Sequence, residues 1–278
     1  MLGNGEIIIS IKLIAIDIDG TLVNSQKKLT EKVKRTINQA TKNNIKVVLC
    51  TGRPISGVRK LLKELDLDNQ DNQYVICFGG AVVQTTAGKI ISSQPITYQN
   101  YLELEKLARK LNLHFHAISE DRIYTANRDI GYYTVYESTL VSLGISYRTP
   151  AEMSNIRLIK AMFIDDQVIL DKALSNWEPF AKLENNLVFT KSAPFYLEAN
   201  AKGVNKGNAL SKLGAVLGIT STEIMAIGDE QNDLSMIKYA GTGVAMGNAI
   251  GKIKEMANVI TDDNDHDGVA TAIEKYAL

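Results

Sequence analysis

IKLIAIDIDGTLVNS, residues 11–25, reads as a buried strand that runs into a polar turn. Apart from Lys12, residues 11–16 are apolar, the pattern of a strand covered on both faces. Period two puts Asp17 and Asp19 on one side of that strand end and Ile18 on the other. In open parallel sheets, ligands bind just beyond the C-terminal ends of the strands. Two carboxylates placed there repel each other unless something positive lies near them. A hard dication such as Mg²⁺, which prefers oxygen ligands, would suit them. Gly20 lets the chain turn and bring backbone amides close to an anion. Read alone, Asp-x-Asp-Gly is also an ordinary turn after a strand.

Outward from this stretch the chain alternates between short apolar runs and helical patterns. Residues 30–44 read as a helix with Val33, Ile37 and Ala40 on one face, and IKVVLC (45–50) as a second buried strand. Pro54 suits the first turn of a helix, followed by Ile55, Val58, Leu61, Leu62 and Leu65 at helical spacing. YVICF (74–78) is a third strand. This rhythm means a parallel sheet with right-handed crossovers. Residues 81–94 break it and read as a hairpin around Ala87-Gly88. A mixed block follows: helices over about 98–112, 128–142 and 166–178, and strands over 113–118, 122–126, 157–164, 186–190 and 194–199. The first rhythm then resumes, with a helix over 205–217, a strand over 223–229, and helices over about 232–240, 249–257 and 267–276. The expected fold class is α/β, a Rossmann-like parallel-sheet core with an inserted α+β domain. The expected division is core 1–84, insert 85–193 and core 194–278.

Composition agrees with about two domains in 278 residues. Lys plus Arg number 31 and Asp plus Glu number 31, so there is no net field to gather nucleic acid or anionic lipid. Cys50 and Cys77 each end an apolar run and read as buried strand residues. No C-x-x-C or Cys/His cluster suggests zinc. Two cysteines make no disulfide framework, and a reducing compartment, the cytoplasm, is expected. The start MLGNGEIIISIK lacks the form of a secretory signal, and residues 1–10 read as a short extension. No apolar run approaches 18 residues, so no membrane span is expected.

Three further places carry chemistry. The second strand ends in Cys50-Thr51-Gly52-Arg53-Pro54, where a hydroxyl and a glycine amide before a helix can cradle phosphate. Lys206 opens a helix and could neutralise a phosphoryl group that is building charge. The strand over 223–229 ends in GDEQND (228–233), where Asp229 could complete a magnesium site and Asp233 could hold it from behind. Each has a plain alternative: a helix cap, a solvated lysine, acids at a helix start. Their conjunction at one edge of one sheet does not. Together they supply a nucleophile, an acid/base, a hydroxyl donor, a cation and metal ligands.

DIDGTLVNS (17–25), TGRP (51–54), VNKG (204–207) and GDEQND (228–233) resemble, in order, the four signature motifs of the haloacid dehalogenase superfamily of phosphatases. GVAMGNA (243–249) and NDHDGVATAIEKY (264–276) are similar to its Cof-type members, as are YTANRDIGYYTVYES (124–138) and KSAPFYLE (191–198). The resemblance covers about residues 11–278 and makes the insert an α/β cap. It implies that Asp17 is the nucleophile and that Asp19 is the acid/base, with its carbonyl on Mg²⁺. Asp229 would be the third metal ligand, with Thr51, Gly52 and Asn232 holding phosphate and Lys206 shielding charge. The implied substrate is a small phosphorylated metabolite, first a sugar phosphate. A phosphorylated cofactor, or a phosphomutase outcome, is the alternative. Cap candidates for substrate choice are His116, Tyr124, Asn127, Arg128 and Tyr132, with at most one of His114 and His116 facing the site. Cap hinges are expected near 82–86 and 192–200. One departure stands out: Gly79-Gly80-Ala81 replaces the usual Asn-Gly-Ala, which puts a substrate contact in doubt.

Overall fold

The computed structural model describes residues 10–278, so the expected N-terminal extension lies almost wholly outside the described residues. Fourteen strands in this span form two sheets. The first has eight strands: β1 (Leu13–Asp17), β2 (Lys46–Cys50), β3 (Tyr74–Cys77), β4 (Val82–Thr85), β5 (Ile90–Ser93), β12 (Ile224–Gly228), β13 (Thr242–Ala245) and β14 (Val259–Ile260). The second has six: β6 (Phe115–Ile118), β7 (Arg122–Thr125), β8 (Gly144–Tyr147), β9 (Lys160–Ile164), β10 (Leu187–Ala193) and β11 (Tyr196–Ala201). Helices α1 (Glu31–Lys42), α2 (Arg59–Glu64), α3 (Tyr98–Leu111), α4 (Tyr132–Val141), α5 (Gln167–Leu174), α6 (Glu178–Ala181), α7 (Lys206–Leu217), α8 (Leu234–Tyr239), α9 (Gly251–Met256) and α10 (Gly268–Tyr276) connect them.

The first sheet runs β14-β13-β12-β1-β2-β3-β4-β5, parallel from β14 to β3. β1 lies in the middle, and all five of its residues are buried. That is why its sequence is continuously apolar until Asp17. Order reverses at β1: its neighbours are β2, next in the chain, and β12, two hundred residues on. A crevice at such a switch point is where α/β sheets bind ligands. Helix α1 shows why the flanks hold. Thr30 Oγ1 accepts from Val33 N at 3.2 Å, and Val33, Ile37 and Ala40 face the sheet.

Several elements depart from the sequence expectation. The helix after Pro54 splits into a 3₁₀ turn, Ile55–Gly57, and a short α2. Gly57 weakens the helix there, and the Arg53 side chain lies across it. The helix expected from 128 begins at Tyr132, because Asn127 Oδ1 accepts from Phe115 N and Thr125 Oγ1 and holds a loop. The helix expected over 166–178 ends at Leu174, and a separate short α6 carries Pro179 in its first turn. Strand β8, a short half-exposed edge parallel to β7, had no expectation.

Sheet membership also moves the division of the chain. The hairpin of β4 and β5 pairs with β3 in the first sheet, so a boundary at 84/85 would cut β4. β10 and β11 pair with each other and with β9, so a boundary at 193/194 would cut a hairpin. The crossings between sheets are residues 94–97 and 202–205, where Gln94 Nε2 donates to Lys202 O at 2.5 Å. The segments 82–86 and 192–200 are largely hydrogen-bonded strand and are poor hinges. The sequence pattern alone marks the hairpin but not which sheet takes it.

Cys50 and Cys77 are fully buried on adjacent strands, and burial pushes both thiols up, Cys50 to about 12. Neither should react with Ellman's reagent in the native protein, and both should react in urea. Fast native labelling of either would contradict this packing.

Candidate active site

Asp17 is the last residue of β1, which lies beside β12, and its side chain is buried. Lys206 is the first residue of α7, capped by Asn205, whose Oδ1 accepts from Asn208 N at 2.8 Å. The helix start delivers the lysine stem beneath the β1 end, where it is fully buried. Its Nζ donates to Asp17 Oδ1 at 2.5 Å and to Asp233 Oδ1 at 2.6 Å. The second Asp233 oxygen accepts from the backbone amides of Asp229 and Glu230 at 3.0 and 3.1 Å. Thr21 Oγ1 donates to Asp229 Oδ1 at 2.7 Å. Ligand oxygens of Asp17, Asp229 and Asp233 all lie within 4.8 Å of one another.

One ammonium faces three carboxylates, and the titration follows. Burial raises Asp17 most, Lys206 pulls it back, and Asp233 and Asp229 push it up again, to about 7. Burial, against the Thr21 hydrogen bond and with Asp233 and Glu230, takes Asp229 to about 6. Burial would lower Lys206, but the charges of Asp17 and Asp233 outweigh it and hold the ammonium protonated. The cluster is therefore short of positive charge, which is the condition that favours a cation.

Asp19 stands apart from this cluster. Arg53 Nη2 donates to both its oxygens at 2.8 and 2.7 Å, and Lys27 Nζ donates to Oδ1 at 3.0 Å. Partial burial pushes the carboxyl up, but the Lys27 hydrogen bond and the Arg53 charge outweigh it and hold it below its ordinary value. Neither Arg53 nor Lys27 is among the sequence candidates; the position of Arg53 within TGRP, beside the phosphate cradle, is the signal that points to it.

Thr51 is buried at the end of β2, and its Oγ1 accepts from Arg53 N at 3.1 Å, which leaves its proton to give. Gly52 has open space above it, with no atom within 4 Å of a built Cβ. Asn232 is exposed on the 3₁₀ turn Gln231–Asp233 at the rim. Gly79 lies at φ +65°, with nothing within 4 Å of a built Cβ. Asn tolerates that backbone and would fit there. Gly80 cannot be replaced so easily: at φ +107°, its Cβ would lie 2.3 Å from Asn205 O, against the start of α7.

The C-terminal stretches are clamps on the turn that follows β1. Asn248 Nδ2 donates to Gly20 O at 2.8 Å, and Asn264 Nδ2 to Val23 O at 3.0 Å. Ser25 N and Oγ donate to the Asp265 carboxylate at 2.9 and 2.6 Å, and Thr30 donates to Asp267. Gly20 itself, at φ +80°, lies so close to Asp229 that a Cβ would meet Oδ2 at 2.3 Å.

The cap candidates scatter. His116 is fully buried and bonds Thr134 Oγ1 through Nδ1 at 3.1 Å. Tyr124 faces the opposite side of the second sheet and packs with the cluster under α3. Asn127 is spent on its loop, Arg128 is an exposed loop residue, and Tyr132 is 74% exposed. His114, two residues before His116, bonds Asp165 through Nδ1 at 2.9 Å and packs beside Gly131 just before α4, so both histidines lie on the α4 side. Period two requires that shared side.

The model of the haloacid dehalogenase-like hydrolases matches residues 14–273. The chain belongs to this family. A relative provisionally named a phosphatase, from Streptococcus pyogenes serotype M6, is 44% identical over 269 residues, 97% of this chain and 99% of its own. A Bacillus subtilis relative named 5-amino-6-(5-phospho-D-ribitylamino)uracil phosphatase is 32% identical, covering 97% of each chain. Among solved structures, a haloacid dehalogenase-like hydrolase from Bacteroides thetaiotaomicron superposes with a TM-score of 0.85 at 32% identity, covering 96% of this chain and 99% of that one. A subclass IIB sugar phosphatase shares the fold at a TM-score of 0.76 and 22% identity. This haloacid dehalogenase-like chain is thus a phosphatase, and among its described residues no helix is long and apolar enough to cross a membrane.

A proton that folded Asp17 holds up to about pH 7 leaves the unfolded residue near 3.8. In that window the folded state binds more protons, so this group makes stability fall as pH rises. In EDTA, Asp17→Asn should therefore unfold at a higher urea midpoint than wild type at pH 8, with the gap closing towards pH 4. A less stable variant at pH 8 would show that Lys206 needs Asp17 more than the cluster suffers from it.

Proposed function

We propose that this protein hydrolyses small phosphate monoesters, sugar phosphates foremost, with Mg²⁺ and through an aspartyl-phosphate. The observation that carries the reading is the buried Asp17 carboxylate, held by Lys206 at the end of the central strand. The donor set fits a hard dication: two buried carboxylates, Asp17 and Asp229, raised by burial and short of positive charge. Those two, with the backbone carbonyl of Asp19, would hold the ion. Asp233 would not, because Lys206 and two amides already occupy its oxygens. Bound there, Mg²⁺ would let an anionic nucleophile and an anionic phosphate approach.

The chain's own residues would do the rest. Asp17 attacks phosphorus, and the leaving oxygen takes its proton from Asp19. Asp19 then takes a proton from the water that cleaves the acyl phosphate. Thr51 Oγ and the Gly52 amide hold phosphoryl oxygens, Asn232 reaches them from the rim, and Lys206 balances charge that builds on them. Asp19 clamped by Arg53 and Lys27 is ionised and cannot donate. An arriving phosphate dianion competes for both cations and frees Asp19 to take up a proton. This couples acid catalysis to occupancy of the site.

A phosphorylated cofactor precursor is the second reading. It rests on relatives of Bacillus subtilis named for a phosphoribitylamino-uracil, one of them 32% identical along nearly the whole chain. Both readings require metal and Asp17.

Phosphate release from a panel of sugar and cofactor phosphates should need Mg²⁺, stop with EDTA and vanish in Asp17→Asn. Because Asp17 and Asp229 must lose protons to bind metal, Mg²⁺ affinity measured by calorimetry should weaken from pH 8 to pH 6, with proton uptake by buffer on binding. Release that persists in EDTA would sink the metal assignment.

A further inference from the structure

Three separate segments of the chain meet around a cleft of about 240 Å³ beside the catalytic turn. Lys27 and Lys28 reach it from the turn after β1, Lys34 from α1 and Lys60 from α2, and Glu64 is the one acid in its lining. Leu29 and Leu61 give it an apolar wall. Exposed lysines are ordinary. This chain, however, balances 31 basic against 31 acidic side chains, so four ammoniums to one carboxylate around a single hollow is a local excess. A concave wall of low dielectric focuses such a field.

Half of that charge is already answered. Lys34 Nζ lies 3.1 Å from Glu31 and 3.5 Å from Glu64, and Lys27 Nζ donates to Asp19 at 3.0 Å. Lys28 and Lys60 pair with no carboxylate among the described residues. The turn holds its two lysines in place by its own hydrogen bonds. Asn24 Oδ1 accepts from Gln26 N and Lys28 N, each at 3.0 Å. Asn24 N donates to Lys28 O at 3.0 Å, and Lys27 N donates to Asn24 O at 2.8 Å. Closing this turn puts Lys27 at φ +59°, a left-handed conformation that L side chains seldom adopt. Lys27 thereby lines the cleft and touches Asp19 with the same ammonium, so the cleft and the catalytic centre share one cation.

We propose that this cleft is a second anion site, separate from the phosphate cradle at Thr51 and Gly52, and that it takes a phosphate-type dianion. None of the cradle residues lines it. Each ammonium offers three donors and no acceptor, which suits a compact ligand with several acceptor oxygens. Two unpaired lysines match a dianion in charge, whereas a neutral hydroxylated ligand would leave them unanswered. The dianion can come from two sources: the far end of a substrate that carries two phosphates, or free phosphate. Because the lysines stand in solvent, binding should weaken as salt is added.

Inorganic phosphate titrated into the protein in Mg²⁺ buffer, followed by backbone amide NMR, should move Lys28, Leu29, Lys60 and Leu61 in one saturable phase. In Lys28→Gln/Lys60→Gln the apparent Kd of that phase should rise by about fivefold or more, while Thr51 and Gly52 titrate as in wild type. Glu64→Gln removes the one acid and should tighten the phase, a gain that a damaged fold does not give. A second arm assigns the source, by kcat/KM for a hexose bisphosphate against the matching monophosphate. A ratio that falls about fivefold in the double variant assigns the anion to the far end of the substrate. An unchanged ratio beside a weakened phosphate phase assigns it to free phosphate. Shifts confined to the cradle at Thr51 and Gly52, or a cleft phase with the same Kd in all three proteins, overturn the site. The NMR arm needs no turnover, so its failure is separate from failure of the catalytic reading. A protein inert towards every phosphate ester, yet with a saturable cleft phase, overturns that reading and supports the cleft.

Discussion

The buried ammonium of Lys206 lies between the carboxylates of Asp17 and Asp233, and the architecture around it exists to make that placement possible. A lysine out of water is costly unless it is paired, and a buried carboxylate is too. Here the two costs offset each other only if three distant pieces of chain meet within a few ångströms: the end of β1, the start of α7 and the turn after β12. Gly80 holds α7 at the needed closeness, because no side chain fits between it and Asn205. Asp233 is fixed in turn by two backbone amides. Charge balance is incomplete, since burial and neighbouring carboxylates keep Asp17 and Asp229 raised.

Around that centre, the turn from Asp17 to Ser25 is closed by its own backbone hydrogen bonds, Leu22 N and Val23 N donating to Ile18 O. It is clamped further by Asn248, Asn264 and Asp265, from the far end of the chain. The closing loops are therefore part of the active site's precision without touching the reacting atoms. Asp19 lies on the same turn, and its contacts with Lys27 and Arg53 are open to solvent, whereas that of Asp17 with Lys206 is sealed.

The second sheet follows a different rule. On its outer face Tyr101, Phe115, Phe163 and Phe180 build an ordinary aromatic core. On its inner face the same strands carry His116, Lys160, Glu198 and Asn200 among Ile118, Ile123, Met162 and Ile164, which pack with Val141 of α4.

Much of this was legible in the sequence because the signals were local. A strand buried on both faces is continuously apolar, and its ligand end shows as Asp17-Ile18-Asp19-Gly20. The cradle at Thr51-Gly52 and the acids at Asp229 and Asp233 announce themselves in the same way, at strand ends followed by helix starts. Whether Lys206 is a surface charge or a buried counter-ion could not be read from four residues, because burial depends on what β1 and the turn after β12 bring to it. Nor could the cations on Asp19, since Arg53 and Lys27 reach it from two different turns. The hairpin of residues 81–94 was visible as a hairpin, but its sheet was not, because edge pairing is decided between strands and not within them. The cap candidates could not be sorted for that reason too: a residue's side of a strand follows from period two, but what covers that side is a tertiary fact. Tyr124 and His116 carry equally polar side chains in the sequence, and only the packing of α3 on one face and α4 on the other separates them.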